Sequence, residues 1–154
     1  MSNQTISISC LTMILAFSNH TLRADEPTRD AKPFSEIASL MESEGYLISE
    51  ATYKKGDWEV EALKDGTAYE LRLEGTTGKV RWQKVDDTDD PWPPNNAKPL
   101  SAIAQTVEKT GYVISEVDYE RNNIWEVEAY KEGVKYELKL NALTGALLIE
   151  KLDT

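Results

Sequence analysis

One pattern, written twice, limits what this chain can become. It runs Trp58-Glu-Val-Glu-Ala-Leu-Lys-Asp-Gly-Thr-Ala-Tyr-Glu-Leu-Arg-Leu73. It returns as Trp125-Glu-Val-Glu-Ala-Tyr-Lys-Glu-Gly-Val-Lys-Tyr-Glu-Leu-Lys-Leu140. In the second copy Trp125, Val127 and Ala129 alternate with Glu126, Glu128 and Tyr130. After a Glu-Gly turn, Tyr136, Leu138 and Leu140 alternate with Glu137 and Lys139. A period of two sends the apolar set to one sheet face and the charged set to the other, which is the signature of a β-hairpin. A chain that states its hairpin twice is a tandem repeat.

The flanking sequence repeats as well. Phe34, Ile37 and Met41 have helical spacing, which predicts a helix over Ser35 to Glu44 with Ser35 as its cap and Gly45 past its end. Tyr46 to Tyr53 is rich in β-formers and precedes the hairpin, and Val80 to Lys84 follows it as a fourth strand with Val80 and Trp82 on the apolar side. In the second copy Leu100, Ile103, Ala104 and Val107 mark the helix. Tyr112 to Tyr119 is the first strand there, and Leu147 to Lys151 the last. Roughly half of the aligned positions are identical. The expected fold is α+β: two tandem units, each an N-terminal helix packed on a four-stranded antiparallel sheet. Trp58, Trp82 and Trp125 are expected in the core. The units cover residues 32–85 and 98–154, and a linker rich in Asp and Pro, residues 86–97, joins them. Pro91, Pro93 and Pro94 exclude a helix or a central strand there. Such a unit buries only ~60 % of its unfolded surface, so mutual packing would help both.

Residues 1–24 are expected to be a signal peptide and 25–31 a flexible leader. The apolar run Ile6 to Phe17 is shorter than the ~20 residues that a membrane-spanning helix needs, and has the length of a signal-peptide core. Candidate cleavage sites are Ala16-Phe17-Ser18 and Leu22-Arg23-Ala24. No stable membrane insertion is expected after processing. All 27 acidic residues lie at or after Asp25, against 17 Lys and Arg, of which only Arg23 lies before it. Net charge is −10, and removing the first 24 residues makes it −11. Such a surface repels phosphate backbones and anionic membranes, so no nucleic-acid partner is expected.

Cys10 and His20 are the only residues of their kind, and both precede Asp25. The remainder therefore lacks the nucleophile and base pairs that enzymes favour, and the usual ligands for zinc, copper or haem. Ser35, Ser49, Ser101 and Ser115 recur at cap and strand positions with structural uses. No catalytic site and no cofactor are expected. Two acidic features remain. Asp86, Asp87, Asp89 and Asp90 are weak candidates for Ca²⁺, without the glycine and distal glutamate of an EF-hand loop. Glu59, Glu61, Glu126 and Glu128 share the polar sheet face. They read either as cross-strand ion pairs or as a docking face for a basic partner. Trp92, between two prolines, is a candidate interaction anchor, or a filler of the seam between units.

The series Gly-Tyr-x-Ile-Ser-Glu, Trp-Glu-Val-Glu-Ala, Tyr-Glu-Leu and Thr-Gly resembles the PepSY domain family. It stands at Gly45-Tyr46, Trp58 to Ala62, Tyr69 to Leu71 and Thr77-Gly78. It stands again at Gly111-Tyr112, Trp125 to Ala129, Tyr136 to Leu138 and Thr144-Gly145. The resemblance implies a small α+β unit, commonly exported in bacteria and associated with propeptides of secreted metallopeptidases and with protease inhibition. The tandem layout is also similar in architecture to the β-lactamase inhibitory proteins. The implied function is a periplasmic or secreted, non-enzymatic binding module. Its partner would be a protein, such as a protease or another envelope protein. The alternative is a Ca²⁺ or small-ligand sensor that uses the acidic linker.

Overall fold

The computed structural model of the chain describes residues 24–154. The expected signal segment, with Cys10 and His20, lies outside the described residues. Among the described residues, two helices, α1 (Phe34–Ser43) and α2 (Leu100–Lys109), accompany eight strands. The first unit contributes β1 (Leu47–Lys54), β2 (Asp57–Lys64), β3 (Thr67–Glu74) and β4 (Val80–Val85). The second contributes β5 (Val113–Glu120), β6 (Ile124–Lys131), β7 (Val134–Asn141) and β8 (Leu147–Leu152).

Each unit is the expected helix followed by four antiparallel strands, but the sheets do not stay separate. They fuse into one sheet of order β4-β3-β2-β1-β5-β6-β7-β8. The joint is antiparallel and pairs Glu50 with Asp118, Ala51 with Val117 and Thr52 with Glu116. Because Thr52 and Asp118 occupy equivalent positions, as do Ala51 and Val117, an approximate two-fold axis passes through this joint. Edge-to-edge pairing removes two of the four open edges that separate sheets would carry.

Both helices cover one sheet face and lie antiparallel to each other. The carboxylate of Glu108 at the end of α2 accepts the Ser35 backbone N–H at 3.1 Å. Reciprocally, Glu42 near the end of α1 accepts the Ser101 N–H and hydroxyl, at 2.9 and 2.5 Å. Each unit thus satisfies one of the free N–H groups that open the other's helix. This corrects Ser35 as a cap: Pro33 occupies that position and makes no side-chain hydrogen bond. Gly45 does end α1, at φ 88°, with Tyr46 N–H donating to the Met41 carbonyl and Gly45 N–H to that of Glu42.

The core is one continuous cluster under the helices, with Trp58, Val60, Leu71 and Leu73 from one unit and Trp125, Val127, Leu138 and Leu140 from the other. Trp82 is not part of it. An extra residue, Arg81, bulges out of β4, so that Leu73 faces Val80 while Arg72 faces Trp82. The bulge turns Trp82 onto the polar face, 37 % exposed, with the Arg72 and Lys84 cations 5.7 and 5.6 Å from its ring. Val80 keeps its expected side but is 46 % exposed.

Residues 25–31, expected to be a flexible leader, are tied to the first unit. Asp25 N–H donates to the Tyr53 carbonyl, and the Asp25 carboxylate accepts the Lys55 N–H at 2.8 Å. The linker is irregular. It roofs a cavity of about 430 Å³ lined by Pro93, Tyr46 and Trp125. The leader roofs its two-fold counterpart, about 440 Å³, lined by Pro27, Phe34 and Tyr112.

Candidate functional site

Among the described residues no helix covers the other sheet face, and there the joint aligns charge. Reading straight across the strands, one row runs Lys84, Glu70, Glu61, Glu50, Asp118, Glu126, Lys139 and Ile149. Five consecutive strands contribute a carboxylate, and the cations stand only at the ends. The second row runs Trp82, Arg72, Glu59, Thr52, Glu116, Glu128, Glu137 and Lys151. The two-fold axis relates the rows, with Thr52 in place of Asp118. Like charges directly opposite each other in a sheet are destabilising. This alignment therefore costs stability.

The electrostatics follow from that crowding. Burial, followed by the nearby Asp90 carboxylate, pushes Glu61 up to about 8. Burial, Asp118 and Asp90 raise Glu50. Glu116 is pushed up to about 8 by burial and by Glu128, and Asp118 to about 6 by burial and by Glu120. Glu126 reaches about 7, chiefly because it hydrogen-bonds Glu120, which is itself lowered. Asp90 is lowered by the Glu61 carboxyl beside it. In chemical terms these are carboxyl–carboxylate pairs sharing protons on an open face.

The sequence-derived candidates divide on this map. Glu59 is neutralised by Arg72 at 2.7 Å and Lys54 at 3.5 Å. Glu128 is held by Lys135 at 2.7 Å, and Glu126 lies 3.4 Å from Lys139. Glu61 has no cation within salt-bridge distance among the described residues. Of the linker aspartates, only Asp90 joins a carboxylate cluster. Its oxygen and those of Glu50 and Glu61 lie within 4.8 Å of one another. Trp92 is half-buried, two residues further on, and makes none of the aromatic pairs that hold Trp58 and Trp125. Glu50, Glu116 and Asp118, central to both rows, were not among the candidates.

The two units treat the same carboxylates differently. In the second, the Lys135 ammonium is inserted between Glu128 at 2.7 Å and Asp153 at 3.2 Å, with its side chain only 9 % exposed. The first unit has Ala68 at that position. Among the described residues it presents Glu50 and Glu61 with no cation within salt-bridge distance and adds Asp90 from the linker.

The sequence matches the family described as "Peptidase propeptide and YPEB domain" over residues 5–84 and again over 86–151. The fold is similar to that of a candidate lipoprotein from Clostridium difficile 630, at 14 % identity over 84 % of this chain and 100 % of that one, with a TM-score of 0.49. It is also similar to a BLIP-like protein from Bacteroides fragilis NCTC 9343, at 17 % identity over 83 % and 87 % of the chains, TM-score 0.30. A DUF2874 family protein from Bacteroides uniformis ATCC 8492 follows, at 14 % identity over 81 % and 88 %, TM-score 0.28. No curated protein matches the sequence. Among the described residues, no helix is long and apolar enough to cross a membrane.

Proposed function

The chain belongs to the peptidase propeptide and YPEB domain family, and on that premise we propose that it is an exported, non-enzymatic module that binds a protein through the acidic face of its sheet. The partner would be a protease or another envelope protein, presenting a basic segment. The observation that carries this reading is the row Glu70, Glu61, Glu50, Asp118 and Glu126, five carboxylates with no interposed cation and no covering helix among the described residues. Lys or Arg side chains laid along the row would relieve the repulsion that the free protein bears. An open face also differs from the closed cleft in which a carboxylate pair hydrolyses glycosides. Export would remove the N-terminal segment and leave units 32–85 and 98–154 joined by the linker. Ala24 is buried and its carbonyl accepts the Tyr130 hydroxyl at 3.3 Å, which favours a cut upstream of Ala24 over one directly after it.

The test is cross-linking in the native cell envelope, with the wild-type chain compared with Glu50→Lys/Asp118→Lys and with Trp92→Ala. The expected result is a protease or envelope protein recovered with the wild type and lost with the double variant. Equal recovery from both removes the acidic row from the binding surface. Equal recovery with Trp92→Ala removes Trp92 from it.

The contrast between the units favours a second reading, a divalent cation at Glu50, Glu61 and Asp90. The Lys135 ammonium in the second unit marks where positive charge is accommodated, and three carboxylate oxygens are hard ligands suited to Ca²⁺. Calcium at 100 times its dissociation constant would stabilise the fold by about 2.7 kcal/mol. A calcium-dependent rise in Tm is expected, lost in Asp90→Asn. Ala68→Lys should supply the charge internally and abolish the response. Identical melts with calcium and with chelator would eliminate this reading.

A further inference from the structure

The sheet has two edges, and they are unequal. β4 is guarded. Its bulged Arg81 pairs with Asp57 at 3.0 Å and Glu74 at 3.4 Å, and Lys79 and Lys84 flank it. Charges and bulges of this kind stop an edge from pairing with another chain. In β8 the bulge persists, at Leu148, and Lys84 keeps its counterpart in Lys151, but the ion network around the bulge is gone. Lys79 becomes Ala146 and Arg81 becomes Leu148, while Asp57 and Glu74 become Ile124 and Asn141. An ion network has been exchanged as a set for apolar and neutral side chains. The result is an edge on which Leu147, Leu148, Ile149 and Leu152 are 51, 52, 46 and 55 % exposed.

From this asymmetry we infer that β8 is a self-association edge, pairing antiparallel with β8 of a second copy about a two-fold axis. Charge selects that occupant. A chain of net charge −10 repels its own copies over most of its surface. The β8 edge is the exception. Its only charges are Glu150 and Lys151, which cancel and are already engaged, Glu150 by the Tyr112 hydroxyl and Lys151 by Glu137 at 3.2 Å. A β4–β4 contact would instead bring Lys79 and the charged Arg81–Asp57–Glu74 network of one copy against those of the other. The geometry has a precedent inside the molecule, because β1 and β5 join two near-identical units edge to edge about an approximate two-fold. An isologous contact of this type closes at two copies. It would extend the sheet to sixteen strands while leaving the acidic face open.

A six-residue edge forms a small interface, below the ~1,600 Å² of a standard stable complex. Association is therefore expected in the range of about 10–100 µM. The test is sedimentation velocity of the full chain over that range, with amide hydrogen exchange in dilute and concentrated protein. Concentration-dependent dimers are expected, with slowed exchange in β8 and none in β4. Leu148→Arg, which restores the residue of the first unit, and Ile149→Lys should each weaken the dimer at least tenfold while keeping the circular dichroism spectrum. A wild-type chain that stays monomeric overturns the inference, as does a dimer that survives both variants. Species growing beyond the dimer would indicate head-to-tail β4–β8 pairing and overturn the closed contact.

Discussion

Acidifying this protein from about pH 8 to about pH 5 is expected to raise its melting temperature, the reverse of the usual loss of carboxylate ion pairs. Glu61 and Glu116 lie at about 8 in the folded chain, Glu126 at about 7 and Asp118 at about 6. Unfolded Glu and Asp titrate near ~4.3 and ~3.9. The folded state therefore keeps protons that the unfolded chain releases. Their stabilising contribution is complete below the unfolded values and is lost as pH rises through 6 to 8. Asp90 and Glu120 are shifted downward and act in the opposite sense, so their contribution is lost on acidification below the ordinary carboxylate range. The optimum should then fall near pH 5. These groups keep partial access to water, so the net gain is scaled to about 1 kcal/mol, or ~2–4 °C in Tm for a chain of this size. Glu61→Gln and Glu116→Gln should each raise Tm at pH 8 and flatten the profile. Melts that are level or rising between pH 5 and pH 8 in the wild type would show that the rows carry no such strain.

The same rows mark where sequence reading reaches its limit. Hairpins, helices and buried tryptophans follow from local periodicity, and Trp58 and Trp125 are indeed fully buried. The first strands resist that reading. Pairing of β1 with β2 slips between Ile48 and Glu50, and pairing of β5 with β6 slips between Ile114 and Glu116, leaving Ser49 and Ser115 as extra, buried residues. The slip breaks the alternation that would have assigned Glu50 and Glu116 to the polar face. The bulge at Arg81 displaced Trp82 in the same way. The β1–β5 joint is a pairing between units, and no local pattern encodes it. Glu61, Glu126 and Glu128 could therefore be named singly, but their assembly into rows could not. One signal was available: aligning the repeats sets Lys135 against Ala68, a charge difference beside otherwise matching glutamates.

Trp58→Ala is expected to lower stability by about 3–5 kcal/mol, the cost of deleting a buried indole from a packed core. Trp58 is fully buried, with its ring centroid 4.9 Å from Phe34 and 5.4 Å from Tyr53. Its counterpart Trp125 keeps the ring of Tyr119 at 5.3 Å, but Leu100 replaces the phenylalanine. Neither indole N–H finds an acceptor among the described residues, and an unpaired buried donor is itself destabilising. Trp58→Phe should consequently cost far less than Trp58→Ala, because it fills most of the space and removes the orphan donor. The form of the transition is as informative as its position. The units share one core, one sheet and a reciprocal pair of helix caps, Glu108 on Ser35 and Glu42 on Ser101. Damage to the first unit should therefore bring down the second, and calorimetry of Trp58→Ala should show one cooperative transition at a lower temperature. Two separated transitions, the later one at the wild-type position, would mean that each unit folds alone and that the β1–β5 joint contributes little. A single transition would make the fused sheet the smallest folding unit, and the acidic rows that cross its joint a property of the whole chain.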